Sequence, residues 1–152
     1  MLFARCLDRL IHRIPGSKMV QPSNEVPKFN IKEAFVGLEK NGEIHLWIAK
    51  RLWELSINLP VFEYEVASFE SFDQDVWFGS QQKPTINKVL EHYRKIENAT
   101  FEHPIILSED GRILDGIHRI CRAYLDGLKT LPAVRFEVDP EPDQRHAITV
   151  DD

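Results

Sequence analysis

Five consecutive residues, Asp115-Gly116-Ile117-His118-Arg119, have the side chains that a phosphate-binding helix start needs. Asp115 is able to cap a helix, and Gly116 allows another backbone or a ligand to approach closely. The first-turn amides that follow present unpaired N–H donors and the positive end of the helix dipole, and His118 and Arg119 add two donors to the same turn. The arginine fork in particular matches phosphate oxygens. The competing reading is a solvated, salt-bridged first turn that holds no ligand. A second group, Glu70, Asp73 and Asp75, lies in an acidic stretch with Phe72, Trp77 and Phe78. The charges fit a plain solvated loop or the rim of a pocket, and the rings fit either a nucleotide pocket or a core. His45, His92 and His103 show no ligand spacing, and neither do Cys6 and Cys121, so no metal site is expected.

The elements around these residues follow from periodicity and punctuation. Pro104 to Leu107 reads as a short buried strand, Ser108-Glu109-Asp110-Gly111 as a hairpin turn and Arg112 to Leu114 as the returning strand, which leads into Asp115. Ile117 to Leu125 reads as a helix stopped by Gly127, followed by a last strand over Leu131 to Val138. Upstream, Thr85 to Glu97 carries Ile86, Val89, Leu90, Tyr93 and Ile96 at helical spacing behind Pro84. Val61 to Ser68 is the first strand of the main sheet, and Phe69 to Gln82 is an irregular loop. Before these, a short helix is predicted over Ile31 to Leu38 and a stronger one from about Glu43 to Ile57, with Trp47, Leu52 and Trp53 as core or interface residues. Residues 2 to 14 form an amphipathic helix, with Leu2, Phe3, Cys6, Leu7, Leu10, Ile11 and Ile14 on one face and Arg5, Arg9, His12 and Arg13 mostly on the other. Its apolar face suits packing on its own domain, a second copy, a partner or an anionic surface. Met19 is an alternative start.

The register from about Leu59 to Val138 resembles the ParB/sulfiredoxin superfamily. The resemblance rests on the Gly116-Ile117-His118-Arg119 word at a helix start, on Gly127 and on Leu131-Pro132-Ala133. ParB partition proteins carry Gly-Glu-Arg-Arg there and use it to bind CTP phosphates; Gly116 and Arg119 keep the ends of that word. No DNA-reading helix-turn-helix follows Val138, so a partition protein is not expected. Sulfiredoxins carry Gly-Cys-His-Arg, in which the cysteine is the nucleophile. Ile117 stands at that position, which excludes sulfiredoxin activity, and Cys121 reads as a small buried residue. The word is most similar to Asp-Gly-His-His-Arg of the free serine kinases of this fold, matched by Asp115, Gly116, His118 and Arg119. The resemblance implies an α+β fold: one ParB/sulfiredoxin-like domain with a small mixed sheet, flanking helices and added N-terminal helices. It also implies a nucleotide (ATP, ADP or CTP) with Mg2+ at the helix start.

The chain has 152 residues, 43% of them apolar and 28% charged, enough for one core without disulfide or metal staples. Its net charge of −5 is no footprint for nucleic acid, and no direct nucleic-acid partner is expected. No apolar run is long enough for a bilayer, and two distant cysteines suit a reducing compartment, so a cytoplasmic location is expected. The organisation reads as helix and linker over 1–28, domain over 29–138 and an exposed, partly disordered acidic tail over 139–152. Two functions stay open, and a third, a DNA-partition or transcription accessory protein, is disfavoured by the net charge and the missing DNA-reading domain. One is a nucleotide-dependent phosphotransferase or hydrolase acting on an unknown small molecule, with Glu70, Asp73 or Asp75 as base. The other is a non-catalytic module that senses nucleotide or binds a partner, including a second copy through the N-terminal helix.

Overall fold

The computed structural model describes residues 34–79 and 82–148. Two short strands, β1 (Phe35–Lys40) and β2 (Glu43–Ile48), form an antiparallel hairpin closed by Asn41 and Gly42. Both turn residues sit at positive φ, 54° and 79°, as a two-residue hairpin of the I′ type requires. The helix expected over Ile31 to Leu38 is therefore strand from Phe35 on, and residues 31–33 lie outside the described residues. The helix expected from Glu43 begins only at Ala49, as α1 (Ala49–Ser56). Ile44, Trp47 and Ile48 satisfy a helical period, but in so short a run they satisfy alternation equally well, and the Asn-Gly turn decides for the hairpin. Trp47 and Leu52 are both fully buried.

After β3 (Phe62–Glu65) and a 3-10 turn, the chain runs through the acidic-aromatic loop into α2 (Ile86–Glu97), whose first turn Thr85 caps through Oγ1 to the Lys88 amide. The hairpin of β4 (Ile105–Leu107) and β5 (Ile113–Asp115) then leads into α3 (Ile117–Leu125) and β6 (Thr130–Arg135). Gly127, at φ 71°, ends α3 as expected.

The main sheet has the order β3-β6-β4-β5; β6 runs parallel to β4 and antiparallel to β3. It is a mixed sheet in an α+β domain. Alternation sends Ile105, Leu107, Leu131 and Ala133 to one face, where Ile120 and Ala123 of α3 cover them. Ile106, Leu114 and Val134 point to the other face and pack under Trp47 and Leu52. Burial on both faces explains why β4 is an unbroken Ile-Ile-Leu run rather than an alternating one.

The stretch from Asp139, read as an exposed acidic tail, is built into the domain through residue 148. β7 (Gln144–Ala147) pairs antiparallel with β2, and the strand predicted to be the last, β6, is followed by this one. Trp47 donates its indole N–H to the Pro140 carbonyl at 2.8 Å. The Asp139 side chain, only 8% exposed, meets Lys40 Nζ at 2.7 Å, and the same lysine reaches Glu109 at 2.7 Å. Ser108 Oγ and the Glu109 amide also donate to Asp139. A negative charge that looks solvated in sequence is thus paired with a cation almost a whole domain away along the chain.

Candidate functional site

The motif sits where β5 hands over to α3. Gly116 is the residue before the helix, at φ 118°, and no side chain caps the start of α3. A Cβ on Gly116 would lie 2.4 Å from Ile105 Cγ2 and 3.2 Å from Arg119 Nη2. The glycine is therefore demanded by the domain's own core, and the close approach it permits is that of Ile105 rather than of a ligand. Asp115, expected as the helix cap, is turned elsewhere. Its Oδ2 accepts from Trp53 Nε1 at 2.9 Å and from Arg119 Nη2 at 2.8 Å. Arg119 Nη1 donates to the His103 and Pro104 carbonyls at 2.6 and 2.8 Å. With 16% of its side chain exposed, the guanidinium expected to face a ligand is directed inward instead. Burial lowers its pKa while Asp115 opposes the shift, and an arginine in such a pair stays charged. The knot ties α1, β5, α3 and the entrance to β4 at one point.

His118 leaves α3 on a different side. Its Nε2 lies 2.8 Å from Nδ1 of His92 on α2, and the two rings are nearly coplanar in orientation, 14° apart. The Trp77 indole stacks on both, with centroids 4.4 Å from His92 and 5.2 Å from His118. Burial, the neighbouring His92 and Lys95 push the His118 pKa from 6.5 down to about 4, against a smaller opposing pull from Asp115. Burial and Lys95 also lower that of His92. At neutral pH both rings are neutral and share one N–H···N hydrogen bond.

Trp77 is held over this pair by the loop that carries it. The Asp75 carboxylate accepts from the amides of Trp77, Phe78 and Gly79 at 3.2, 2.8 and 3.0 Å, which fixes the turn. Between this loop and α3 opens a cleft of about 490 Å³, with Phe72, Asp73, Asp75, Trp77, Ile117 and Cys121 in its walls. Phe72 packs edge-on against Phe69, the ring that anchors the loop to the core. Asp73 has no hydrogen bond or ion pair to another side chain among the described residues. Glu70 is not part of the cleft wall; its charge acts on Tyr64, whose phenol is pushed up by burial and, less, by Glu70. Burial likewise pushes up the Cys121 thiol, so the sulfur beside the cleft is a poor nucleophile.

The five-residue word is thus split between two sides of one helix start. Asp115, Gly116 and Arg119 close the core, and Ile117, with Cys121 one turn on, faces the cleft. Asp73 and Asp75 meet the same cleft, Asp75 as the organiser of its loop. Two residues of the arrangement escape sequence reasoning. His92 carries no signal, because its partner lies 26 positions away with no spacing rule to link them. Trp53 does carry one, since a buried indole N–H needs an acceptor. Among the described residues no group of three or more His, Cys, Asp or Glu side chains is arranged to hold a metal ion, and no helix is long and apolar enough to cross a membrane. No protein-family model, curated protein or solved structure matches this chain.

Proposed function

We propose that the chain is a nucleotide-phosphate-binding domain of the ParB/sulfiredoxin type, which takes its phosphate at the first turn of α3. The observation that carries this reading is the start of α3 itself. No side chain caps it, and it opens beside the cleft that Ile117 and Asp73 line. Uncapped amides at a helix N-terminus favour an oxyanion through both hydrogen bonding and the dipole. Arg119 contributes by holding the β5–α3 junction at its angle, rather than by touching phosphate. The rings of Phe72 and Trp77 give the cleft an apolar wall against which a base can lie.

Magnesium would arrive with the nucleotide, held by its phosphates and water. Asp75 is spent on its turn and Glu70 lies outside the wall. Asp73 is therefore the carboxylate that would take a proton from an attacking hydroxyl if binding leads to phosphoryl transfer to a small molecule. No direct nucleic-acid contact is part of this reading.

The test is a thermal shift and calorimetric titration of the full chain with phosphate, ATP, ADP, CTP and GTP, with and without magnesium. A ligand confined to the folded state raises the melting temperature, by about 2.7 kcal/mol of stabilisation at a hundredfold excess over Kd. Ile117→Glu, which sets a carboxylate beside the amides, should abolish the shift in a domain that still melts cooperatively. Absence of any shift at millimolar ligand would overturn the proposal. Loss of turnover with retained binding in Asp73→Asn separates an enzyme from a sensor.

A further inference from the structure

The cleft between the acidic-aromatic loop and α3 carries charge of one sign. Asp73 and Asp75 stand in its wall, and among the described residues no lysine, arginine or histidine lines it. Asp75 gives its oxygens to the amides of Trp77, Phe78 and Gly79, which fix the carboxylate in place without cancelling its charge. A cleft lined by one sign of charge concentrates ions of the other sign, so this one draws cations.

The rest of the wall decides which cation. Phe72, Trp77 and Phe78 line the same cleft. His92 and His118 are hydrogen-bonded edge to edge and nearly coplanar, so both cover one face of the Trp77 indole and leave the other for the cleft. Phe72 meets Phe69 and Tyr124, yet 40% of it stays exposed. Ring faces attract a cation through their quadrupole, indole most strongly. A hard metal ion asks for six or more oxygens, and a primary ammonium has three N–H donors to satisfy. A tetraalkylammonium asks for no acceptor at all. Its charge is spread over methyl groups, which suits ring faces backed by two carboxylates. At about 490 Å³ the cleft has the size of a small-molecule site and accommodates such a head group beside a stacked base.

We infer that the cleft is a binding site for an alkylated, quaternary ammonium head group, which lies against Phe72, Trp77 and Phe78 with Asp73 and Asp75 balancing its charge. The site needs no nucleotide to form, so its failure would leave the phosphate proposal untouched.

The test titrates the full chain, without nucleotide and at constant ionic strength, with tetramethylammonium, choline and neohexanol, the neutral isostere of choline in which carbon replaces nitrogen. Binding is read by calorimetry and by indole fluorescence. Choline should bind at least about tenfold more tightly than neohexanol. Asp73→Asn, at an exposed side chain, should weaken choline at least about threefold, with the melting temperature and the neohexanol affinity unchanged. Trp77→Leu should weaken choline at least about tenfold. Because Trp77 also packs on the histidines, Phe72→Leu serves as a second ring variant, with an expected loss of about threefold or more. Equal affinities for choline and neohexanol would reduce the cleft to an apolar pocket and overturn the inference. An unchanged choline affinity in Asp73→Asn, or no response to tetramethylammonium at about 50 mM, would overturn it as well.

Discussion

Removing the Arg119 guanidinium should cost the fold far more than it costs any ligand. Arg119→Ala deletes bonds to Asp115, to the His103 carbonyl and to the Pro104 carbonyl, and leaves the Asp115 carboxylate with the Trp53 indole. Deleting one partner of a buried ion pair costs about 3 to 5 kcal/mol. Asp115 keeps about a quarter of its side chain in contact with water, which recovers part of that, so about 3 kcal/mol is expected. For a domain of this size that is a fall in melting temperature of roughly 10 to 15 °C. Arg119→Lys keeps the charge but cannot serve the carboxylate and two carbonyls from one planar fork, and should lose about 1 to 2 kcal/mol. Urea unfolding followed by circular dichroism gives the free energies. A cycle with Asp115→Asn isolates the pair, and its coupling energy should exceed about 1 kcal/mol. Phosphate affinity, measured well below the melting transition, should change less than about threefold. The reasoning is refuted if Arg119→Ala unfolds within about 0.5 kcal/mol of the parent, and doubly so if that stable variant has lost its phosphate, because the guanidinium would then face outward.

Gly116→Ala should destabilise by about 3 kcal/mol or more, since it combines a φ of 118° with a Cβ forced to 2.4 Å from Ile105 Cγ2; a loss below about 1 kcal/mol in the same urea assay would refute the close approach. The histidine pair predicts a pH dependence: with the folded His118 pKa at about 4 against 6.5, the unfolded chain binds more protons between those values, so stability is full above about pH 6.5 and falls as pH drops towards 4. The full shift would be worth about 3 kcal/mol, but both rings are partly exposed and solvent screening leaves about 1 to 2 kcal/mol; His118→Asn should flatten the fall, as read from melting temperatures between pH 4 and 7.5, and an unchanged slope would rule out the His92–His118 pair.

The region from the β4–β5 hairpin to α3 is legible because its signals are local. The Asp110-Gly111 turn, the Ile-Ile-Leu run and Gly127 each act within a few residues. Residues 43–48 read falsely as helix because Ile44, Trp47 and Ile48 fit two periods at once, and only the Asn41-Gly42 turn resolves them. Asp139 looks like tail because its partner Lys40 is remote in sequence and its neighbours Pro140 and Pro142 resemble linker punctuation. At the candidate site, residue types point to the start of α3 but cannot give direction. Whether Arg119 faces a ligand or a carbonyl depends on where His103 and Pro104 fall in space, and whether Asp75 is a base or a turn former depends on three backbone amides. The His92–His118 contact is tertiary throughout.

The pairing of β7 with β2 joins strands about a hundred residues apart, whereas every partner in the four-stranded sheet is in place once β6 has been made. As the chain emerges in order from its N-terminus, the main sheet can close first while the β1–β2 hairpin waits with one edge open. Closing so long a loop adds a late, slow contribution to folding that local contacts cannot supply. Until then β2 offers bare N–H and C=O groups, so the last ten described residues serve as a cover for an edge that would otherwise recruit strands from neighbouring chains.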